Sequence, residues 1–256
     1  MNKILFLVVP GLLFFFACSK KEEQKKVPVT YEMQNFRMES EGGCMADTLP
    51  CALYVVDFPV FSGFDSAVAK VIQKEIDASV SMGNPEVEGE TMAAVAKGFI
   101  EDYADFKTEF PQDPMGWHYS GVVEVEVLTD SLLSLSVAEE YFTGGAHGGY
   151  GTYYINLRPA NGEVFKLTDY FKPGFEEPLR TAAEKAFRKV RKLPDSASMD
   201  DNLFEFPDNS FQFNENYGFT QEGIVFFFNS YEIAPFAAGP TEVLVPYADV
   251  KEWIKQ

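Results

Sequence analysis

Glu139-Glu140-Tyr141-Phe142-Thr143-Gly144-Gly145-Ala146-His147-Gly148-Gly149-Tyr150-Gly151-Thr152-Tyr153-Tyr154 is the stretch on which the fold turns. It carries five of the 19 glycines and one of only two histidines. Glycine loses more freedom on ordering than any other residue, so a cluster between strand-like runs implies positive φ, a bulge or a close approach. On both sides the apolar period is two. Tyr119 to Leu128 and Leu132 to Phe142 read as a hairpin around Thr129-Asp130-Ser131, and Gly149 to Leu157 reads as a third strand.

Toward the C-terminus, Asn161-Gly162 turns the chain into Val164-Phe165-Lys166-Leu167, a further short hairpin. A helix follows over Glu176 to Arg191, with Leu179, Ala183, Ala186, Phe187 and Val190 on its apolar side. Strands return at Asn216 to Thr220, Gly223 to Asn229 and Thr241 to Val245, and Ala248 to Lys255 reads as a closing helix. Toward the N-terminus, Val29 to Met38 and Ala52 to Phe61 are strands. Phe64 to Val80 and Thr91 to Phe106 are amphipathic helices, the first with apolar residues three and four apart. Strands grouped together with helices set apart define an α+β chain of mainly antiparallel sheet with flanking helices. A change of character near Pro111 divides it into two lobes, residues 29–110 and 111–256.

The chain opens on Met1-Asn2-Lys3 and an apolar run from Ile4 to Ala17. A basic start and so short a run have the layout of a secretory signal peptide over residues 1–17. Phe15-Phe16-Ala17-Cys18 resembles a bacterial lipobox, which makes Cys18 the lipidated residue. A single uncleaved anchor is the alternative, and both tether the protein outside the cytoplasm. Residues 18–28 are charged, lack apolar periodicity and read as a flexible tether. Within it, Lys21-Glu22-Glu23 looks like the export signals of some Bacteroidetes lipoproteins, which place their proteins on the outer membrane and at the cell surface. In an oxidising compartment the remaining cysteines, Cys44 and Cys51, form a local disulfide. Closing so small a loop contributes about 2.5 kcal/mol in the chain-entropy model.

The net charge of −18 repels nucleic acid and anionic lipid and favours cationic partners, so nucleic-acid binding is set aside. His147 in the glycine cluster has the chemistry of a base or a metal ligand. His118 is the only other histidine, no His-Xaa-Xaa-His spacing exists, and neither metal nor cofactor is expected. Gly144-Gly145 and Gly148-Gly149 lack the lysine and the following helix of a phosphate loop. The carboxylate pairs Glu139-Glu140, Glu176-Glu177 and Asp200-Asp201 read mostly as solvated faces. Aromatics are the informative excess: 25 Phe and 12 Tyr. Runs such as Val225-Phe226-Phe227-Phe228 belong in a core. Tyr141, Tyr150, Tyr153, Tyr154 and Tyr231, with His147, are candidates for a shallow binding surface, because tyrosine offers a flat apolar face with a polar tip.

Phe142-Thr143-Gly144-Gly145-Ala146-His147-Gly148-Gly149, then Tyr154-Ile155-Asn156-Leu157, Gly162, Leu167-Thr168-Asp169-Tyr170-Phe171 and Tyr231 to Pro240 together carry a resemblance. The C-terminal part resembles a domain shared by the lysozyme-sensing anti-sigma-V factor and the non-catalytic region of a peptidoglycan deacetylase. The region before it resembles the smaller domain that accompanies it. The resemblance implies a two-part α+β extracytoplasmic module that recognises a ligand at the cell wall, either a cationic lysozyme-like protein or peptidoglycan and related glycan. It carries over no catalytic residue. The expectation is therefore a non-enzymatic cell-envelope lipoprotein that meets the membrane only through its lipid. The alternative is a hydrolase of envelope polysaccharide using His147 and a nearby carboxylate.

Overall fold

The computed structural model describes residues 28–44, 50–80 and 91–255. The expected leader, the lipidated Cys18 and the tether up to residue 27 lie outside the described residues. Strands β1 (Thr30–Glu39), β2 (Ala52–Ser62), β3 (Trp117–Leu128), β4 (Leu133–Phe142) and β5 (Gly149–Leu157) form one sheet in chain order. β1 and β2 pair antiparallel, and the Cys44–Cys51 disulfide ties their connected ends with a Cα separation of 5.5 Å. β2 and β3 pair parallel, because the chain between them crosses over through helices α1 (Ser66–Ser79) and α2 (Met92–Glu109).

Both helices begin on side-chain caps. Asp65 accepts from the Ala67 amide at 2.9 Å, and Thr91 accepts from the Ala94 amide at 3.3 Å. Their buried stripes, Val68, Ile72 and Ile76 on α1 and Val95, Phe99 and Tyr103 on α2, cover one face of the sheet. Across the sheet, the residues beneath them are every second one: Tyr54 and Val56, Tyr119 and Val123, Leu133, Leu135 and Val137. The fold is α+β, as expected, with five of its six strand pairings antiparallel.

A second core lies C-terminal to this sheet. Strands β6 (Tyr217–Phe219), β7 (Gly223–Phe228) and β8 (Thr241–Pro246) form an antiparallel sheet. It packs with helices α3 (Leu167–Tyr170), α4 (Glu176–Arg191) and α5 (Tyr247–Val250) around Phe171, Phe187, Phe211, Phe219, Phe226 and Phe228. The closing helix is thus shorter than Ala248 to Lys255, and the hairpin expected at Val164 reduces to a single bridge with Leu157. The divide expected at residues 110 and 111 falls inside the β2–β3 crossover. The change of character there marks the end of a helix, and, Leu132 apart, the chain passes from the first core to the second between Leu157 and Phe165.

Side chains join the two sheets. As an edge strand, β5 presents a row of unpaired amides and carbonyls. Asn229 meets this row with its own amide group. Its Oδ1 accepts from the Thr152 amide at 2.8 Å and its Nδ2 donates to the Thr152 carbonyl at 3.0 Å. Asn216 accepts from the Tyr154 amide at 3.1 Å and donates to the carbonyls of Thr152 and Phe227. Further along, Asn156 donates to the Tyr217 carbonyl at 2.7 Å, and buried Ser134 accepts from the Phe219 amide at 3.0 Å. Gly218 completes the junction by close approach: a Cβ there would lie 2.0 Å from Cδ1 of Tyr154.

Replacing Asn229 by Ala leaves the Thr152 amide without a partner, while the Thr152 carbonyl keeps Asn216, and is expected to cost about 1–3 kcal/mol of stability. Asn35→Ala, which breaks only an exposed bond to Asp57, should change stability by no more than about 0.5 kcal/mol. Urea unfolding of the two variants checks the difference.

Candidate functional site

The β4–β5 hairpin closes through residues 143–148. Gly144 and Gly145 have φ of 98° and 88°, which side-chain-bearing residues rarely adopt. Gly148 and Gly149 serve close approach instead: a Cβ on either would come within 2.4 Å of Tyr141. The loop holds His147 in the open, its Nδ1 donating to the Gly148 carbonyl at 2.9 Å. The imidazole stacks on Phe236 with centroids 4.8 Å apart and planes 22° apart.

Phe236 is the hub of an aromatic platform. Tyr150 lies 5.7 Å and Tyr231 5.4 Å from its centroid. Tyr231 is 69% exposed and Tyr150 44%. Ser230 Oγ donates to the Tyr150 hydroxyl at 3.0 Å, so the outer rim is hydroxylic. Arg191 at the end of α4 fixes the segment carrying Phe236. Its guanidinium donates to the carbonyls of Ala238, Gly239 and Pro240 at 2.9 to 3.0 Å.

Of the six residues expected to form a contact surface, His147, Tyr150 and Tyr231 therefore come together. Tyr141 and Tyr153 project from the opposite face of the hairpin, by the alternation of the strand. Tyr154 is turned into the junction against Gly218. Phe236, the centre of the platform, is not among the six. Its only sequence signal is its place in the run Tyr231 to Pro240.

The opposite face holds a buried carboxyl. Glu139, expected to be solvated, is 7% exposed, because its cross-strand neighbours are Gly121 and Gly151 and leave a slot for it. The Tyr119 hydroxyl donates to its Oε2 at 2.9 Å. Tyr119 stacks on Tyr54 at 4.4 Å, and the Tyr54 hydroxyl donates to the Val80 carbonyl. Burial raises the Glu139 pKa, and the Tyr119 bond only partly offsets it. Burial, and then the charge of Glu139, push the Tyr119 phenol well above its usual range.

His147 has no hydrogen bond or ion pair to a carboxylate among the described residues. No group of three or more His, Cys, Asp or Glu among them is placed to hold a metal ion. None of the described helices is long and apolar enough to cross a membrane.

An α+β chain with two cores and an aromatic platform at their junction is thus the class of protein in hand. Residues 46–150 match the family model described as Deacetylase PdaC, and residues 168–248 match that of a protein of unknown function, DUF3298. The gap between the two matches coincides with the passage from one core to the other. A DUF3298 family member from Bacteroides fragilis superposes with a TM-score of 0.66 at 20% identity, over 90% of this chain and 95% of its own. A DUF3298 family protein from Pseudomonas aeruginosa does so at 0.64 and 21%, over 90% and 96%. Immunogenic protein MPT64 of Mycobacterium tuberculosis is 56% identical over 32 residues, and the chain spans 14% of that protein. The chain therefore carries the domain pair that its sequence resembles, a PdaC-type region followed by a DUF3298 region.

Because the folded pKa of Glu139 lies above its ordinary 4.5, the folded state binds the extra proton more tightly than the unfolded chain. Stability should fall as pH rises from that ordinary value through the raised one, and then level off. Glu139→Gln, which keeps an acceptor for Tyr119, should flatten this slope and be more stable than the parent at neutral pH. Denaturant midpoints measured from acid to neutral pH check both expectations.

Proposed function

We propose that the protein is a lipid-anchored, extracytoplasmic binding module of the cell envelope, set on the outer membrane, that recognises a wall-associated ligand on its aromatic platform and performs no chemistry there. The observation that carries this reading is the convergence of His147, Tyr150 and Tyr231 on Phe236, open to solvent and held by both cores. Flat rings with hydroxyls at the rim suit the apolar faces and polar edges of sugar rings, so the glycan of peptidoglycan is the favoured ligand. The net charge of −18 supports a second reading, a cationic lysozyme-like protein steered by the field. The resemblance of the domain pair to wall-sensing proteins supports the setting in either case. A hydrolytic role for His147 draws no support from its surroundings. Its Nδ1 is taken by a backbone carbonyl and its ring is stacked.

Calorimetry of the chain without its leader, titrated with muropeptides and separately with lysozyme, tests the reading. Tyr231→Ala, at a 69% exposed position, should leave the melting temperature unchanged. Phe236→Ala should weaken binding by about 2 kcal/mol, roughly thirtyfold. Absence of heat with both titrants would remove the proposal.

A further inference from the structure

Strand β1 is the free edge of the five-stranded sheet, on the side away from β5 and the aromatic platform. The Ser40 amide donates to the Ala52 carbonyl, so by the alternation of an antiparallel pair the backbones of Met38, Phe36 and Gln34 also turn to β2. Those of Tyr31, Met33, Asn35, Arg37 and Glu39 therefore turn outward. Among the described residues no backbone group pairs with this outer row. A long open edge invites pairing with another chain, and proteins blunt such edges with lysine, proline, a bulge or short length. β1 has none of these: it runs ten residues without a lysine, a proline or a register shift. It also leaves Tyr31 and Met33 exposed. The opposite edge, by contrast, is closed by Asn216 and Asn229.

We infer that β1 pairs antiparallel with β1 of a second copy of this chain, joining the two five-stranded sheets across a two-fold axis. The strand is complementary to itself. With Gln34 on the axis, Tyr31 lies opposite Arg37 of the second copy, Met33 opposite Asn35, and both pairs recur by symmetry. All four residues belong to the outward row, so these pairs exchange about eight backbone hydrogen bonds. On the face they share, each Arg37 guanidinium reaches a Tyr31 ring, which attracts cations. On the other face Gln34 meets its own copy, and Glu32 lies opposite Phe36. The strand's charges, Glu32, Arg37 and Glu39, never meet a like charge directly opposite, which would oppose pairing. Repulsion between the two acidic chains as a whole is screened beyond about 8 Å at physiological salt. The inference stands apart from the proposed wall ligand, since the platform lies at the other edge of the sheet.

Sedimentation of residues 19–256, which keep every described residue, tests it. The mass should double between about 1 μM and about 1 mM, the range of small, weak interfaces. Met33→Pro removes one outward amide and no bond to β2, and Met33→Lys puts a charge on the edge. Both should stay monomeric over the same range while keeping the parent's circular dichroism. Val190→Lys, an exposed change on α4, should dimerise like the parent. In the parent, concentration should slow amide exchange at Tyr31, Met33, Asn35 and Arg37, which is fast in the dilute monomer, and leave Gln34 and Phe36 unchanged. A parent that stays monomeric throughout would overturn the inference. A dimer that survives both Met33 substitutions would place the contact elsewhere and overturn it too. Slow exchange of the outward amides in the dilute monomer would put a segment of the same chain on the edge, again in place of a second copy.

Discussion

Two asparagine side chains hold the molecule in its working form. An edge strand with open amides and carbonyls is an unstable way to end a sheet in water. Here Asn229 and Asn216 supply to β5 the donor and acceptor groups that a further strand would have supplied. The amide of Asn229 reproduces the paired bonds of a ladder at Thr152, and it does so from the end of β7, in the other core. The same contact therefore finishes the first sheet and docks the second against it. Each amide buried at this junction would cost on the order of 1–3 kcal/mol if left unpaired, so the arrangement is strongly specified.

The platform depends on this junction. His147 and Tyr150 belong to the β4–β5 hairpin, whereas Tyr231 and Phe236 follow β7 by a few residues. Docking at Asn229 places the two sets of rings side by side, and Arg191 then holds the later segment by its carbonyls. An aromatic surface built from two cores is rigid only while they stay joined. Cores that moved independently would carry separate rings with little area for stacking.

Much of this architecture is legible in the sequence, for identifiable reasons. The period-two runs around the glycine cluster mark β3, β4 and β5 because one face of that sheet is buried under helices. Val68, Ile72 and Ile76 mark α1 by the same logic at helical spacing. The junction is not legible, since an asparagine in a loop reads as a turn residue and nothing local says that it pairs with a strand 60 to 80 residues away. Glu139 beside Glu140 reads as solvated, and only the pairing with Gly121 and Gly151 reveals the slot that buries it. The parallel β2–β3 pair likewise puts a single sheet across the compositional change at Pro111. Aromatic residues near the cluster are expected to share one surface, but strand alternation sorts them to two faces. Phe236, distant in sequence, becomes the centre.

Backbone amide hydrogen exchange at Thr152 and Tyr154 tests the asparagine junction most directly. Although β5 is an edge strand, both amides are predicted to exchange as slowly as the interior amides of β4. Exchange as fast as that of the solvent-facing amides of β1, the opposite edge of the same sheet, would contradict the account.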